Sequence, residues 1–342
     1  MAKNKLSIKD IASQLNVSIT TVSFILNGKA KENRISDKLT KKVLKHVEEV
    51  GYKPNQLAQS LRTGKSKILV FMVEDISNSF FSGVAKIMEN KALENGYKII
   101  YCSTDNKLDK SRELIELFKN RHVDGYIITP VAGIEQDLME LVEEGIPLVL
   151  FDRFFPGLNI SHVVINNEQG THNAISHLIE NGFSNIGFIT LISDETQMVG
   201  RLNGYISAVE KHALPQSVLK VQFNDLRSDI VVTAIKEFIL KNPIIDALFF
   251  ATNHIAISGL EAIKELDMKI PEDIAVISFD DGVLFRLYEP PITVLAQPIE
   301  DLSNELMKSI LSQLNGNLGV EQIELPVKFL SRASSRALKI SK

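Results

Sequence analysis

At 342 residues and 44% hydrophobic content, the chain is too long for one compact core and carries apolar residues for two or three. Its single cysteine, Cys102, excludes an intramolecular disulfide framework and suits a reducing, cytoplasmic setting; MAKNKLSIKD lacks the apolar run of about 7 to 15 residues of a secretory signal, and no apolar stretch nears the roughly 20 residues of a membrane span. The net charge of −4 conceals 14 Lys or Arg against 5 Asp or Glu in residues 1–67, a net of +9 that leaves −13 for the remainder, so one end suits a polyanion.

In chain order, Leu6, Ile8, Ile11, Ala12 and Leu15 recur at helical spacing, with Ser7 placed as N-cap. Asn16-Val17-Ser18 interrupts, and Ser18 caps a second helix with Val22, Ile25 and Leu26 inward and Ile19, Thr20, Thr21 and Phe24 elsewhere. A third helix begins near Ser36, carries Leu39, Val43, Leu44, Val47 and Val50 on its apolar face, and stops at Gly51. Helix, short turn and helix closed by a third make a helix-turn-helix head, whose second helix enters the major groove with its N-terminal residues at base edges. Ile19 and the threonine methyls can meet thymine methyls, and threonine hydroxyls can bond bases or phosphates. Ser7, Ser18, Lys29, Lys31 and Arg34 are placed for the DNA backbone. The competing reading is a helical protein-interaction head.

Pro54 then fixes the chain, and Asn55 can cap Gln56 to Arg62, a segment of about two turns that is marginal alone. Gly64 to Ser66 reads GKS, but Gln59 stands five before Gly64 and no strand precedes it, so this is no phosphate-binding P-loop. From Lys67 apolar strands alternate with helical stretches through PLVLFD, and the pattern resumes from HVVIN to IAVISF. This is βαβ winding done twice, implying two parallel-sheet lobes and a cleft. Ligands bind beyond the carboxyl ends of such strands, which selects Asp75, Asn78, Phe80, Phe81, Ser103, Asp105, Asp152, Arg153, Asn253, Asp280 and Asp281. Planar carboxylate, amide and guanidinium groups beside aromatic faces suit a polyhydroxylated ring, so a small sugar-like effector is expected.

The stretches IKDIASQLNVSITTVSFILNGK, YKPNQLAQSLRTGKS, VEDISNSFF and VISFDD resemble the lactose repressor-type (LacI/GalR) bacterial regulators over nearly the whole length. The resemblance implies an all-α head, residues 1–53, and a hinge helix with linker, 54–66. A periplasmic-binding-protein-like body, 67–342, would follow, with lobe 1 about 67–165 plus 297–325 and lobe 2 about 166–296 plus 326–342. It implies a homodimer on inverted-repeat operator DNA, with Asn55, Ala58 and Leu61 in the hinge and Leu61 wedged into the minor groove; an ordinary linker is the rival reading. The DNA-binding set is thus Ser7, Ser18, Ile19, Thr20, Thr21, Phe24, Asn27, Lys29, Arg34, Asn55, Ala58 and Leu61. The effector-binding set is Asn78, Phe80, Asp152, Arg201, Asn253, Asp280 and Gln297. Against these stand blander roles: Asn78 and Asp152 as turn or cap residues, Phe80 as core, Arg201 as a structural pair.

Two positions depart from the family. Many members read a guanine with an arginine where this chain has Phe24, and an aspartate often stands at His254, so neither the operator sequence nor the effector carries over. No leucine heptad follows Lys328, which favours dimers. The sequence lacks GxGxxG, GxSxG, HExxH and CxxC, and His172 and His177 are five apart, so no catalysis, cofactor or metal is expected. The function read here is a repressor controlled by a sugar-like effector. A transport-type sugar-binding protein and a regulator with a purine-like effector are the alternatives.

Overall fold

The computed structural model describes residues 6–52, 64–226, 228–317 and 319–337. The chain divides into two compact units, Met1–Ser66 and Lys67–Lys342. The hinge positions Asn55, Ala58 and Leu61 lie outside the described residues.

The first unit contains α1 (Ile8–Leu15), α2 (Ile19–Leu26) and α3 (Asp37–Glu49). Ser7 and Asp10 form a capping box at α1, and Asn16 ends the helix in the left-handed region at φ 55. Ser18 caps α2 by accepting from the Thr21 backbone, a bond whose loss costs about 1 kcal/mol. Ile11, Ala12, Val22, Ile25, Ala30 and Val43 form the core. Leu44, expected on the apolar face of α3, is instead exposed. Leu39, Val43, Val47 and Val50 occupy one stripe, and the next residue after Val43 is turned about 100° away from it.

The second unit contains two six-stranded sheets. The first is built from β1 (Ile68–Val73), β2 (Lys98–Ser103), β3 (Gly125–Ile128), β4 (Leu148–Phe151), β5 (His162–Ile165) and β11 (Gln322–Leu325). Its order is β11-β5-β4-β3-β1-β2, every pair parallel. Helices α4 (Ser79–Glu94), α5 (Leu108–Lys119), α6 (Glu135–Glu143) and α12 (Ile299–Leu314) accompany it. The second comprises β6 (Ile186–Leu191), β7 (Ser217–Val221), β8 (Ala247–Phe250), β9 (Ala275–Phe279), β10 (Thr293–Ala296) and β12 (Lys328–Leu330), in the order β12-β10-β9-β8-β6-β7. Only β12 runs antiparallel, against β10. Helices α7 (Asn167–Glu180), α8 (Thr196–Lys211), α9 (Asp229–Lys241), α10 (Asn253–Glu265) and the short α11 (Val283–Leu287) belong to this lobe. Strands such as Leu69–Val73 and Leu248–Phe250 are buried end to end because helices cover both faces, which is why they read as unbroken apolar runs rather than alternation.

The chain therefore passes between lobes after β5, after β10 and after β11. Asn166 ties the first and third crossings together: its Oδ1 accepts from the Val327 backbone at 2.9 Å, and its N–H donates to Leu325 at 3.0 Å. An apolar cluster runs from one sheet to the other through Phe71, Phe151, Phe188 and Phe249.

Candidate functional site

Two surfaces answer the sequence reading, one in each unit. In the head, Ile19 and Thr20 are exposed and Thr21 half-exposed on the first turn of α2. Phe24 is half-buried yet outside the apolar core. Lys29, Lys31 and Arg34 are exposed just beyond the helix. The hydroxyls of Ser7 and Ser18 serve as helix caps, and Asn27 donates to the Ser23 carbonyl at 2.6 Å, so these three hold the surface together through their side chains. Unpaired backbone N–H groups at the start of α2 make its N-terminus a fit for phosphate.

In the second unit the carboxyl ends of both sheets border a cleft lined by Asn78, Phe80, Asp152, Arg201, Asn253, Asp280 and Gln297 together. Two aspartates are equivalent: Asp152 follows β4, the fourth strand of its lobe, and Asp280 follows β9, the fourth of the other. Both adopt the left-handed region, φ 69 and 66, which aspartate tolerates and which bends the chain out of the sheet there. Arg201 rises from α8 with Nε donating to Asn167 at 2.8 Å, Nη1 donating to the Ala251 carbonyl at 2.7 Å, and its guanidinium 3.5 Å over the Phe279 ring. That placement needs α8 to lie close on α7: a Cβ at Gly204 would stand 2.2 Å from the Glu168 carbonyl oxygen. Gln297, on the second crossing, donates to Asp280 at 2.7 Å.

Burial governs the charges. It pushes Asp152 up to about 6, against the opposing pull of Arg153 and Arg201. It also raises Asp280 and Glu74 against Arg201 and Arg153 respectively, and it lowers Arg201. Arg153 donates to Glu74 at 2.7 Å, pairs with Glu195 across the cleft, and lies 3.6 Å from Asp152. Two acceptor atoms on the cleft wall, Oδ1 of Asn253 and Oε1 of Gln197, are buried with no protein partner. Such atoms are expensive to leave unpaired, so they call for a donor from a ligand or water.

The blander roles turn out to coexist with cleft lining. Asn78 caps α4 by accepting from the Phe80 backbone, Phe80 packs its ring 5.5 Å from Phe151, and both border the cleft. Of the residues selected by the carboxyl-end rule, Asp75, Ser103, Asp105, Arg153 and Asp281 do not line it. Asp75 accepts from Ser77, Ser103 from Ile76, Asp105 pairs with Lys110, and Asp281 pairs with Arg332. The rule finds the loops but does not separate residues that fold a loop from those that face across it. Glu74, Glu195, Gln197, Met198 and Phe223 line the cleft unforeseen. The last four follow β6 and β7, and the same rule applied to those strands would have found them. Among the described residues no group of His, Cys, Asp and Glu could hold a metal, and no helix is long and apolar enough to cross a membrane.

A family model described as bacterial regulatory proteins, lacI family, matches residues 7–55, and one described as periplasmic binding protein-like domain matches residues 175–335. The regulator DegA of Bacillus subtilis is 31% identical over 346 residues, covering 98% of this chain and 99% of the relative. The ribose operon repressor of Halalkalibacterium halodurans is 29% identical, covering 96% and 97%. The HTH-type transcriptional repressor PurR of Aliivibrio salmonicida is 26% identical, covering 90% and 92%. The lac repressor dimer bound to operator and the anti-inducer ONPF shares the fold, with a TM-score of 0.87 at 20% identity over 98% of this chain and 100% of that one. These relatives are transcription regulators or repressors by name.

Proposed function

The chain belongs to the lacI family of bacterial regulatory proteins, and on that premise we propose that it is a sequence-specific DNA-binding repressor governed by a small polyhydroxylated effector. The observation that carries the reading is the joining, in one chain, of a serine-capped helix with an exposed first turn to a cleft where polar groups from two sheets converge. Ile19, Thr20 and Thr21 would read base edges while Lys29 and Arg34 meet phosphates. With Phe24 in place of a guanine-reading arginine, the operator differs from those of many relatives. Ser7, Ser18 and Asn27 contribute by holding the reading helix in place, and Asn55, Ala58 and Leu61 by contacts in the minor groove.

Self-association is supported by α11, where Val283, Leu284 and Leu287 are 61%, 47% and 79% exposed, more contiguous apolar surface than a short solvated helix needs. A dimer reads two half-sites, so the operator should be an inverted repeat. In the cleft, Asp152, Asp280, Asn253 and Gln297 would bond hydroxyls, Arg201 would donate to ring or hydroxyl oxygens, and Phe80 would cover a sugar face. The relative named as a ribose operon repressor is in keeping with a sugar effector. The acceptor-rich wall favours the polyol, because purine edges demand donors as well. A transport role is disfavoured by the basic head. Selection of bound duplexes from a random library, followed by footprinting, tests the reading. Enrichment of an inverted repeat is expected, and recovery of unenriched sequence would overturn it.

A further inference from the structure

We propose that the effector bears no negative charge: it is an uncharged or amine-bearing, donor-rich molecule, and phosphorylated or carboxylate-bearing sugars are excluded. This rests on the cleft being the effector site and narrows that reading to a charge class. Among the described residues in and immediately behind the cleft, two guanidiniums are matched against four carboxylates. Arg153 lies between Glu74 and Glu195 and already bonds both, with Asn106 taking a further donor at 3.2 Å. Arg201 faces Asp152 and Asp280, and two of its donors are spent on Asn167 and the Ala251 carbonyl. Each guanidinium is therefore outnumbered two to one before any ligand arrives.

Three of the four amides on the cleft wall commit their donors in the same way, whereas Asn78 spends only its oxygen, on Asn253 and the Phe80 backbone. Gln297 gives its amide to Asp280, Asn253 gives its amide to Asn78, and Gln197 gives its amide to Glu195 at 3.2 Å. What these amides leave facing the cleft is acceptors, with the buried Oδ1 of Asn253 and Oε1 of Gln197 unpartnered. Hydroxyl and N–H donors satisfy such a wall. A phosphate or carboxylate would instead bring acceptors to acceptors and a further negative charge into a low-dielectric space that already holds a surplus. The remaining wall is mostly apolar, Phe80, Phe81, Leu191, Met198, Phe223 and Leu226, and its one further basic group, His254, already acts on Asp280, so the positive groups still number at most three against four carboxylates.

The test uses the full chain and its melting temperature. Matched sets of one sugar in four forms are compared by thermal shift and then calorimetry: glucose, glucosamine, gluconate and glucose 6-phosphate, with the corresponding galactose and ribose series. In parallel, a small-molecule extract of bacterial cells is passed over an anion exchanger near pH 7, and flow-through and salt-eluted fractions are assayed for stabilisation. Stabilisation confined to the flow-through and to uncharged or amino forms is expected, with anionic forms weaker by at least about tenfold. A stabilising activity retained on the exchanger would overturn the proposal, as would a phosphate or acid that binds as tightly as its neutral parent. Periodate treatment of an active flow-through separates the two levels of inference. Loss of activity supports a vicinal polyol, whereas survival retains the charge assignment and removes the sugar reading.

Discussion

Asn78 and Asn253 meet across the cleft, the Asn253 amide donating to Oδ1 of Asn78 at 3.1 Å. One oxygen of Asn78 thus serves two partners, since it also caps α4 through the Phe80 backbone at 3.0 Å. The other end of the Asn253 amide, Oδ1, is buried and without a protein partner.

Asn253→Ala should therefore act on effector binding more than on folding. The cap of α4 survives, while an acceptor aimed at the ligand is lost, so effector affinity should fall by about 1 to 3 kcal/mol with little change in melting temperature. Calorimetric titration checks this, and an unchanged affinity would remove Asn253 from the effector site.

Arg153 should behave in the opposite way. Its side chain is buried and bonds Glu74 from its own lobe and Glu195 from the other. Arg153→Met would leave the buried Asp152 and the mostly buried Glu74 and Glu195 without their shared cation, and stability should fall by about 3 kcal/mol in denaturant unfolding. Glu195→Gln keeps a polar partner and removes only one charge, so it should cost much less. Equal losses from the two variants would mean that charge is not what Arg153 balances.

The raised pKa of Asp152 makes effector-free stability depend on pH. The folded state holds the proton more tightly than the unfolded chain, so the contribution is fully present below about pH 4 and is lost as pH rises through about 6. Burial sets the direction, Arg153 and Arg201 oppose it, and Glu195 and Asp280 reinforce it. A shift of this size corresponds to about 3 kcal/mol. Asp152→Asn, neutral at every pH, should lack that step, so wild type minus variant should decline between about pH 4 and 7. A flat difference would show that Asp152 titrates normally.

The architecture was legible because its signals are local. Serine caps, helical spacing of apolar residues and unbroken apolar runs each specify an element within a few positions, and two rounds of βαβ specify the sheets. Leu44 escaped because a stretch with apolar residues at both 43 and 44 does not say which faces inward until the other helices pack. The cleft was legible in part for a similar reason. Asp152 and Asp280 end strands and were found by rule; the same rule taken past β6 reaches Glu195 and Gln197, but which residues of that connection face the cleft depends on where it lies against the opposite lobe. Asp281 and Asp105 were drawn in by the same rule but are consumed by Arg332 and Lys110. Residues 1–5, 53–63 and 338–342, with Arg227 and Leu318, are outside what the structure describes, and the hinge reading stays with the sequence.

In the head, charge and specificity should separate by residue. Lys29→Ala removes an exposed cation near α2, so operator and random DNA should both bind more weakly and the slope of log affinity against log salt should shrink by about 0.9. Thr20→Ala should leave that slope alone and alter which bases are preferred. Filter binding across a salt series, with operator and random duplexes side by side, distinguishes them. If Thr20→Ala changes nothing at any base, α2 is not the reading helix.

The central claim is that the cleft and the DNA-binding head are thermodynamically linked in one regulator. The direct measurement is a closed cycle: operator affinity with and without saturating effector, and effector affinity with and without saturating operator. A coupling of at least about tenfold is expected, or roughly 1.4 kcal/mol, and linkage requires the same factor along both arms. Asp280→Asn should diminish the response to effector while leaving effector-free operator affinity nearly unchanged. Affinities that are independent of one another along both arms, or an effector recovered chemically altered, would contradict the account.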